Sequence, residues 1–523
     1  MLHARRMTGW ASLLALLLAA CGGGGGGGGG TAASDAPPGV EGGLLNDPVR
    51  YALDANAALP SATESSVQTS QQLSLDGTPI DYQTDTGHLT ASDPVSGAAK
   101  ASMFYVAYTR KGVASASRPL VFFYNGGPGS ASVWLHLGSY APKRLAAPMP
   151  ATTVPQPYRM VDNPQTLLRE ADLVFVDAVG TGYSQAIAPN SNRTFWGVDA
   201  DALLFRDFVL RYTAKFQRQA SPLVLFGESY GGLRSPILAA ALLAAGAPLQ
   251  GVVLQSAILN YNSNCAVLDP GRLSCSAFVP SYAAAAAWFQ RARPMPTELP
   301  SFEQQVIAYA EAQYEPAAQA WLTQRLALAA PIAQQLGDYS GLAASTWQAE
   351  PLLYPERFRR LLLPSQLIGR YDARVAAGVN DALASEGDPS STVLTAAFVS
   401  SIAEHLRGNL KYQASVNYRL VNNEVIEQWQ WRHDGHELPD AIPDLALAFG
   451  LRPTLKLLVI GGYHDLATPF RLTEQDLARL APQPAGLQLR RYVGGHMTYL
   501  DDQVRPALRA DLAGFLTSLG GAP

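Results

Sequence analysis

The stretch LVLFGESYGG, residues 223–232, brings a serine, an acid and several glycines together at the end of an apolar run. Such a run is typical of a buried strand, and a helical pattern follows it. Glycines on both sides allow a turn so sharp that the hydroxyl of Ser229 stands clear of the backbone at the carboxyl edge of a sheet. The pattern therefore predicts a nucleophile elbow, with Ser229 as the nucleophile.

Two later loops supply the other groups that a serine nucleophile needs. A serine hydroxyl reacts poorly until a base removes its proton and an acid orients that base. Asp465 lies in IGGYHDLATPF and His496 in YVGGHMTYL, each after a strand-like run. The order Ser, Asp, His is typical of the α/β-hydrolase fold. His464 is a rival candidate for the base, but its place in the acid loop makes it a bystander. For Asp465 the alternative is an ordinary capping role in its loop.

A glycine-rich loop forms a third element. The apolar run VFFY leads into Asn125, Gly126, Gly127, Pro128 and Gly129. Backbone amides of such a loop can point at an oxyanion. A plain tight turn is the alternative, whereas a phosphate loop would require a lysine that is absent here.

The elements that must position these groups follow from periodicity. Strand-like runs recur at SMFYVAYT, PLVFFYN, DLVFVD, PLVLFG, GVVLQS, LKLLVIGG and LQLRRYV, with helical patterns between several of them. This alternation predicts an α/β fold with a mostly parallel sheet covered on both faces. From residue 258 to 452, Ala- and Leu-rich helical patterns replace it. The sequence thus predicts one α/β domain in two parts, residues 65–257 and 453–523, around a mainly helical insertion, residues 258–452.

Composition excludes some partners. The chain has 523 residues, 48% of them hydrophobic, and a net charge of −4. It is long enough for a large core, and it offers no basic patch for nucleic acid.

The N-terminus has the features of an export signal. Two arginines precede the short apolar run WASLLALLLAAC, which is too short to span a bilayer, so residues 1–20 are predicted to be a signal peptide. The ending LAAC resembles a bacterial lipoprotein signal in which Cys21 is lipidated; an ordinary signal peptide that carries a cysteine is the alternative. Nine glycines, Gly22 to Gly30, follow. We therefore expect residues 21–64 to form a flexible tether.

These features predict a location and a cysteine pairing. The protein is expected to be exported and lipid-anchored in the bacterial cell envelope, and the glycine after Cys21 resembles lipoproteins sent to the outer membrane. Cys265 and Cys275, ten residues apart, are then predicted to form a disulfide, with two free thiols as the alternative. They make an incomplete ligand set for zinc, so no metal is expected.

Five motifs in the same order resemble the serine carboxypeptidase family from about residue 100 to the C-terminus. They are NGGPGS, LVFVDAVGTGYSQ, GESYGG, GYHDLATPF and GGHMTYL. The stretches FVPSYAAAAAWF, GRYDARV, DPS and EQWQWRH resemble its bacterial branch. The segment VDAVGTGYS lacks a proline that many members carry, which leaves open how residues 178–184 shape the pocket.

The resemblance implies a role for each motif. It implies an α/β-hydrolase fold, Ser229 as nucleophile, His496 as general base and Asp465 as its orienter. It also implies an oxyanion hole formed by the amides of Gly127 and Tyr230. The substrates would be peptides with a free C-terminus, and no cofactor is expected.

The same resemblance implies that Asn125, Gly126 and Glu228 bind the terminal carboxylate of the substrate. Two carboxyl groups in contact cannot both ionise, so Glu228 would have to stay protonated. Peptide cleavage is therefore expected to weaken above about pH 6. A structural acid at a helix N-terminus is the alternative reading of Glu228.

Other functions and other roles stay open. An esterase, amidase or acyltransferase could use the same scaffold, and a non-catalytic, envelope-binding lipoprotein could keep the fold without the chemistry. Two stretches of the insertion could line the cleft or be structural, and we favour an ion-pair cluster and core packing for them. Their residues are Arg370, Asp372 and Arg374 in the first, and Trp429 and Trp431 in the second.

Overall fold

The computed structural model describes residues 40–114, 118–151, 153, 158–267 and 271–520. The predicted signal peptide, Cys21 and the glycine tract lie outside the described residues. Within the described part of the chain, no helix combines the length and the apolar character that crossing a membrane requires.

The strands of the described residues fall into one large sheet and three small ones. They are β1 (Val40–Glu41), β2 (Leu45–Asp47), β3 (Ser66–Leu75), β4 (Thr78–Ser92), β5 (Ala99–Arg110), β6 (Leu120–Tyr124), β7 (Lys143–Leu145), β8 (Met160–Asp162), β9 (Asp172–Val176), β10 (Gln185–Ala186), β11 (Leu223–Glu228), β12 (Leu249–Gln255), β13 (Gln366–Ile368), β14 (Ala376–Gly378), β15 (Tyr412–Ala414), β16 (Lys456–Gly462) and β17 (Leu487–Tyr492).

The α-helices of the described residues all follow β6 in the chain. Some connect strands of the large sheet, many belong to the insertion, and the last one follows β17. They are α1 (Val133–Gly138), α2 (Val198–Lys215), α3 (Tyr230–Ala244), α4 (Val279–Trp288), α5 (Leu299–Tyr309), α6 (Glu315–Gln324), α7 (Ala330–Ser340), α8 (Ala344–Ala349), α9 (Pro355–Leu361), α10 (Pro389–Gly408), α11 (Asn423–Gln428), α12 (Ile442–Leu451), α13 (Phe470–Leu477) and α14 (Arg505–Thr517).

The large sheet has a parallel half and an antiparallel half. Its strand order is β1-β3-β4-β5-β9-β6-β11-β12-β16-β17, with β10 on β5. The six strands from β9 to β17 run parallel, and β3, β4, β5 and β9 pair antiparallel. The predicted mostly parallel central sheet is therefore confirmed. The carboxyl ends of its parallel strands meet at one edge, which is where ligands bind in such sheets.

The strands β3 and β4 were not among the predicted strands. Their sequences are polar, yet Thr84, Thr86 and His88 of β4 are almost fully buried. Hydrogen bonds satisfy part of this buried polarity, since the Thr69 and Thr84 hydroxyls lie 2.7 Å apart and the Tyr105 hydroxyl donates to Asp85. Hydropathy alone therefore conceals these strands.

Each face of the sheet packs against helices through alternate side chains. Val121 and Phe123 of β6 belong to the core that includes residues of α1, α10 and α14. Leu120 and Phe122 belong to the opposite core, with residues of α2, α3 and α12. This alternation follows from the two-residue period of a strand, and it covers both faces of the sheet.

The insertion carries a core of its own. Buried residues of α4 to α9 form a separate cluster that includes Cys265 and Cys275. These two cysteines form the predicted disulfide, with a Cα–Cα distance of 5.5 Å. The structure thus confirms the pairing.

The predicted tether extends too far toward the body of the protein. Residues 45–64 are part of the fold, because β2 pairs with β15 and Tyr51 is buried. The hydroxyls of Tyr51 and Tyr412 both donate to Oδ2 of the buried Asp47, over 2.7 Å and 2.6 Å. A buried carboxylate needs such partners, so this contact fixes the segment to the insertion.

Candidate active site

The segment between β11 and α3 forms a sharp strand-to-helix turn around Ser229. Ser229 has φ 61° and ψ −121°, a conformation that a non-glycine residue adopts only at an energy of about 1–3 kcal/mol. A Cβ on Gly227 would lie 2.2 Å from the carbonyl oxygen of Gly231, so only glycine fits there. Ser229 is the one residue of 223–232 that is not fully buried. The turn therefore presents the serine as the sequence predicts.

The loops after β16 and β17 bring Asp465 and His496 together. Nδ1 of His496 lies 2.8 Å from Oδ2 of Asp465, and both side chains are almost fully buried. The other oxygen of Asp465 accepts the backbone N–H groups of Ala467 and Thr468, over 2.7 Å and 3.0 Å. With Nδ1 engaged by the carboxylate, Nε2 is the ring nitrogen left to take a proton from a serine.

The surroundings of His496 hold its imidazole in place and raise its pKa. Burial opposes a positive charge on the ring, but the hydrogen bond to Asp465 and the charges of Asp465 and Glu228 outweigh it and raise the pKa of His496 above its usual value. The carbonyl of His496 accepts from the Ser256 hydroxyl at 2.6 Å and from the Gln255 amide at 3.2 Å. Because Gln255 ends β12 and Ser256 follows it, His496 is tied to the strand beside the elbow.

The glycine loop packs directly on the elbow. A Cβ on Gly126 would lie 2.4 Å from the backbone nitrogen of Tyr230 and 2.8 Å from the carbonyl oxygen of Glu228. Gly127 has φ 107° and is the one exposed residue of 121–129. Tyr230 is the first residue of α3, so its N–H has no acceptor within the helix. The loop that carries Gly127 thus lies against the start of α3, which is the arrangement that an oxyanion hole formed by the amides of Gly127 and Tyr230 requires.

Glu228, the last residue of β11, lies in a buried polar group with Asn125 and Tyr499. Burial raises the pKa of Glu228 to about 7, while His496, Tyr499 and Asn125 act in the opposite direction. Oε2 of Glu228 and the Tyr499 hydroxyl are buried and lack a well-formed hydrogen bond. Oδ1 of Asn125 accepts the N–H of Leu135 at 3.0 Å, which fixes the side-chain amide. The structure thus brings the predicted carboxylate binders together.

Four residues at the site were missed from the sequence. Thr468 donates to Asp465 at 2.9 Å, and Arg234 donates to the carbonyl of Asn125 at 2.9 Å and to Asp201 at 2.6 Å. The other two are Tyr499 and Tyr371, which contact Glu228 and His496. Thr468 and Tyr499 each lie three residues after a predicted catalytic residue, and this spacing was the available signal.

Other predicted candidates lie away from the nucleophile. His464 is buried against Trp288, and burial lowers its pKa well below the usual value, so it stays neutral. Asp372 and Arg374 form a buried ion pair at 2.7 Å, as the structural interpretation predicted. The guanidinium of Arg370, the third residue of the predicted cluster, lies over the Tyr371 ring at 5.4 Å.

The two tryptophans pack on the elbow. The rings of Trp429 and Trp431 meet the Tyr230 ring edge-on, with centroids 5.3 Å and 6.2 Å away. Two residues further, the ring of His433 lies 2.6 Å from Asp199 of α2 and 2.9 Å from Asp444 of α12. The hydrogen bond with Asp444, ahead of the opposing effect of burial, and that with Asp199 raise the pKa of His433 to about 9. His433 therefore fastens the segment that covers Tyr230.

A His433→Gln variant is expected to lose a pH-dependent part of the stability. Since the folded pKa of about 9 exceeds the usual value of 6.5, the charged histidine stabilises the fold fully below pH 6.5. That contribution is lost as the pH rises through about 9. Thermal unfolding at several pH values should show a smaller alkaline fall in Tm for the variant than for the wild type. His436→Gln, at an exposed histidine of the same turn, is the control; equal falls in wild type and His433→Gln would contradict the assignment.

Comparisons with known proteins find similarity over part of the chain. Residues 75–273 match the family model described as serine carboxypeptidase. Over these residues the chain is similar to that family. It is 30% identical over 159 residues to the pheromone-processing carboxypeptidase KEX1 of Metarhizium robertsii, and the match covers 30% of this chain and 23% of that relative.

A solved structure shows the same fold. The prohormone-processing carboxypeptidase KEX1(delta)p of Saccharomyces cerevisiae superposes with a TM-score of 0.52 at 15% identity, covering 83% of this chain and 91% of that one. The predicted α/β-hydrolase fold is therefore confirmed. Placement in the bacterial branch of the carboxypeptidase family stays a prediction.

Proposed function

We propose that the protein is a member of the serine carboxypeptidase family, a serine-type carboxypeptidase that removes C-terminal residues from peptides. The observation that carries the proposal is the buried carboxyl of Glu228, directly before Ser229 and beside Asn125, with a pKa raised to about 7. A protonated carboxyl at that position can donate a hydrogen bond to the terminal carboxylate of a peptide. Both relatives are named as processing carboxypeptidases, which supports the same activity.

The chemistry would proceed through an acyl-enzyme. Oγ of Ser229 attacks the last peptide carbonyl while Nε2 of His496 takes its proton, and Asp465 stabilises the imidazolium. The amides of Gly127 and Tyr230 donate to the oxyanion. The imidazolium then protonates the leaving amine, and a water molecule, activated by the same imidazole, hydrolyses the ester.

The two titrating groups would set the working pH. Ionised Glu228 would repel the substrate carboxylate, so peptide cleavage falls as the pH rises through about 7. Charged His496 cannot act as a base, and its pKa is raised, so cleavage also falls at low pH. The enzyme is thus proposed to favour mildly acidic conditions.

The location of the enzyme is part of the proposal. Export and a lipid anchor on Cys21 in the bacterial envelope are supported by the signal-like residues 1–20 and the glycine tract. The anchor would hold the folded body, which begins near residue 45, close to a membrane.

The direct experiment compares a blocked dipeptide with its C-terminally amidated twin. We expect release of the last residue only when its carboxylate is free, and a loss of about 10⁴-fold or more in kcat for Ser229→Ala. Labelling by a fluorophosphonate probe reports separately whether Ser229 is reactive.

The other outcomes assign different functions. Equal cleavage of both dipeptides would keep a serine hydrolase and discard the carboxypeptidase. Fluorophosphonate labelling without peptide cleavage would favour an esterase or acyltransferase. A chain that is not labelled at all would be a non-catalytic protein on the same fold.

A further inference from the structure

A short piece of the insertion touches both loops that carry the proposed acid and base. Residues 369–374, here called the strap, join β13 to β14 near the loops after β16 and β17. Three backbone hydrogen bonds connect them: His496 N–H to the Tyr371 carbonyl at 2.6 Å, Leu466 N–H to the Arg370 carbonyl at 3.0 Å, and Ala373 N–H to the His464 carbonyl at 2.9 Å. The strap thus bridges the two loops.

The contact with the histidine loop is close and includes the ring itself. The Tyr371 ring meets the His496 imidazole edge-on, with centroids 5.1 Å apart. A Cβ on Gly495 would lie 2.3 Å from the Tyr371 carbonyl oxygen and 2.6 Å from Cβ of Asp372. Backbone therefore rests on backbone at this point, and the position of the strap limits where His496 can lie.

A buried ion pair anchors the strap to the chain that follows His496. Arg374 donates to both oxygens of Asp372, over 2.9 Å and 2.7 Å, and to Asp501 over 2.6 Å. All three side chains are at most 6% exposed. Buried ion pairs are weak evidence for stability because removing them from water is costly, but they do hold a fixed geometry.

The N-terminus of α10 anchors the other end of the strap. The N–H of Arg370 donates to Asp388 at 3.0 Å, and those of Tyr371 and Asp372 donate to the Ser390 hydroxyl at 3.2 Å each. Every backbone amide from residue 370 to 374 therefore has a defined acceptor. The strap is held rigidly rather than resting loosely on the loops.

We propose that the strap is the positioning element that holds His496 on Asp465, so that the insertion completes the base of the α/β domain. Tyr371 is a positioning residue in this arrangement, acting through its carbonyl and its ring. The inference rests on the proposed function, because it assigns His496 as the base. It goes beyond that function because it makes the reactivity of Ser229 depend on correct placement of the strap, which belongs to the insertion.

The test displaces the strap without altering any residue of the catalytic machinery. In Gly369→Ala the new Cβ would lie 2.2 Å from the carbonyl oxygen of Asp372 and 2.7 Å from Ser390, so the strap must shift. The matched control is Gly337→Ala in α7, where the Cβ would meet the carbonyl oxygen of Leu342 at 2.8 Å, in the same insertion but outside the strap.

We expect Gly369→Ala to slow fluorophosphonate labelling and kcat by about 10- to 100-fold, with KM changed less than about twofold. The Gly337→Ala variant should be labelled at the wild-type rate, even if its Tm falls by as much as that of Gly369→Ala. In an NMR titration the pKa of His496 should move down toward its ordinary value in Gly369→Ala. Asp465 and Glu228 outweigh burial and the opposing charge of Arg370 only while the ring is held beside them.

The readouts separate failure of this inference from failure of the proposed function. If Gly369→Ala slows labelling but the wild type cleaves no peptide, the positioning role of the strap is supported and the carboxypeptidase activity is rejected. Wild-type labelling and an unchanged His496 pKa in Gly369→Ala would overturn the strap whatever the substrate is. If Gly369→Ala does not fold, Asp501→Asn loosens the same element and is judged by the same two outcomes.

Discussion

An Asp465→Asn variant is expected to lose about four orders of magnitude in kcat while keeping its fold. Oδ2 of Asp465 accepts from His496 Nδ1 at 2.8 Å and from the Thr468 hydroxyl at 2.9 Å, and its other oxygen accepts two backbone N–H groups. In an asparagine, the NH₂ group replaces one of these two acceptors. It must face either His496 and Thr468 or the two backbone N–H groups. If it faces His496, it favours the tautomer whose Nε2 already carries a proton and cannot take one from Ser229.

Asp476→Asn provides the matched control for this variant. Asp476 is also buried in the second part of the α/β domain, where Ser263 and Asn260 donate to it at 3.2 Å and 3.5 Å. Burial raises its pKa to about 7, so an amide replaces a largely protonated acid at pH 6. We expect near wild-type kcat for this control, measured with the same dipeptide. A loss in Asp465→Asn no greater than that in the control would show that Asp465 does not orient His496.

A Glu228→Gln variant is expected to retain peptide cleavage at alkaline pH, where the wild type loses about tenfold per pH unit above about pH 7. Glutamine is neutral at every pH and donates an N–H to a carboxylate, as the protonated acid does. The measurement is kcat/KM for a free blocked dipeptide from pH 4.5 to 9.

The control for Glu228→Gln is Glu303→Gln in α5. Glu303 is fully buried, both of its oxygens lack a hydrogen-bond partner, and burial raises its pKa well above the usual value. Because it lies in the insertion, its removal should leave the alkaline limb unchanged. An alkaline limb that stays at the wild-type midpoint in Glu228→Gln would assign the titration to another group and remove the proposed role of Glu228.

The positions of the predicted catalytic residues in the fold could be predicted because they depend on local rules. The turn at Ser229 follows from a strand, flanking glycines and a helix within ten residues, and loops after parallel strands meet at one edge of a sheet. This geometry brought Asp465 and His496 together although 31 residues separate them. The disulfide was predictable for a similar reason, since its cysteines lie ten residues apart.

The polar strands β3 and β4 and the N-terminal segment, residues 45–64, could not be predicted from local sequence patterns. Thr84 and His88 are buried because neighbouring strands supply hydrogen bonds and aromatic contacts, and no hydropathy pattern records those neighbours. Residues 45–64 join the fold through Asp47 and a strand more than 360 residues away. Such pairing depends on the assembled fold, not on local propensity.

The amino-acid sequence by itself determined the elbow, the order of the predicted catalytic residues and the strands that carry them, because each depends on residue types at short spacing. Only the tertiary structure decided which groups surround them. The contacts of Tyr499 with Glu228 and of Tyr371 with His496 join segments that are more than 100 residues apart. Packing of the complete chain creates these contacts, since side chains from separate segments must fill the same buried space.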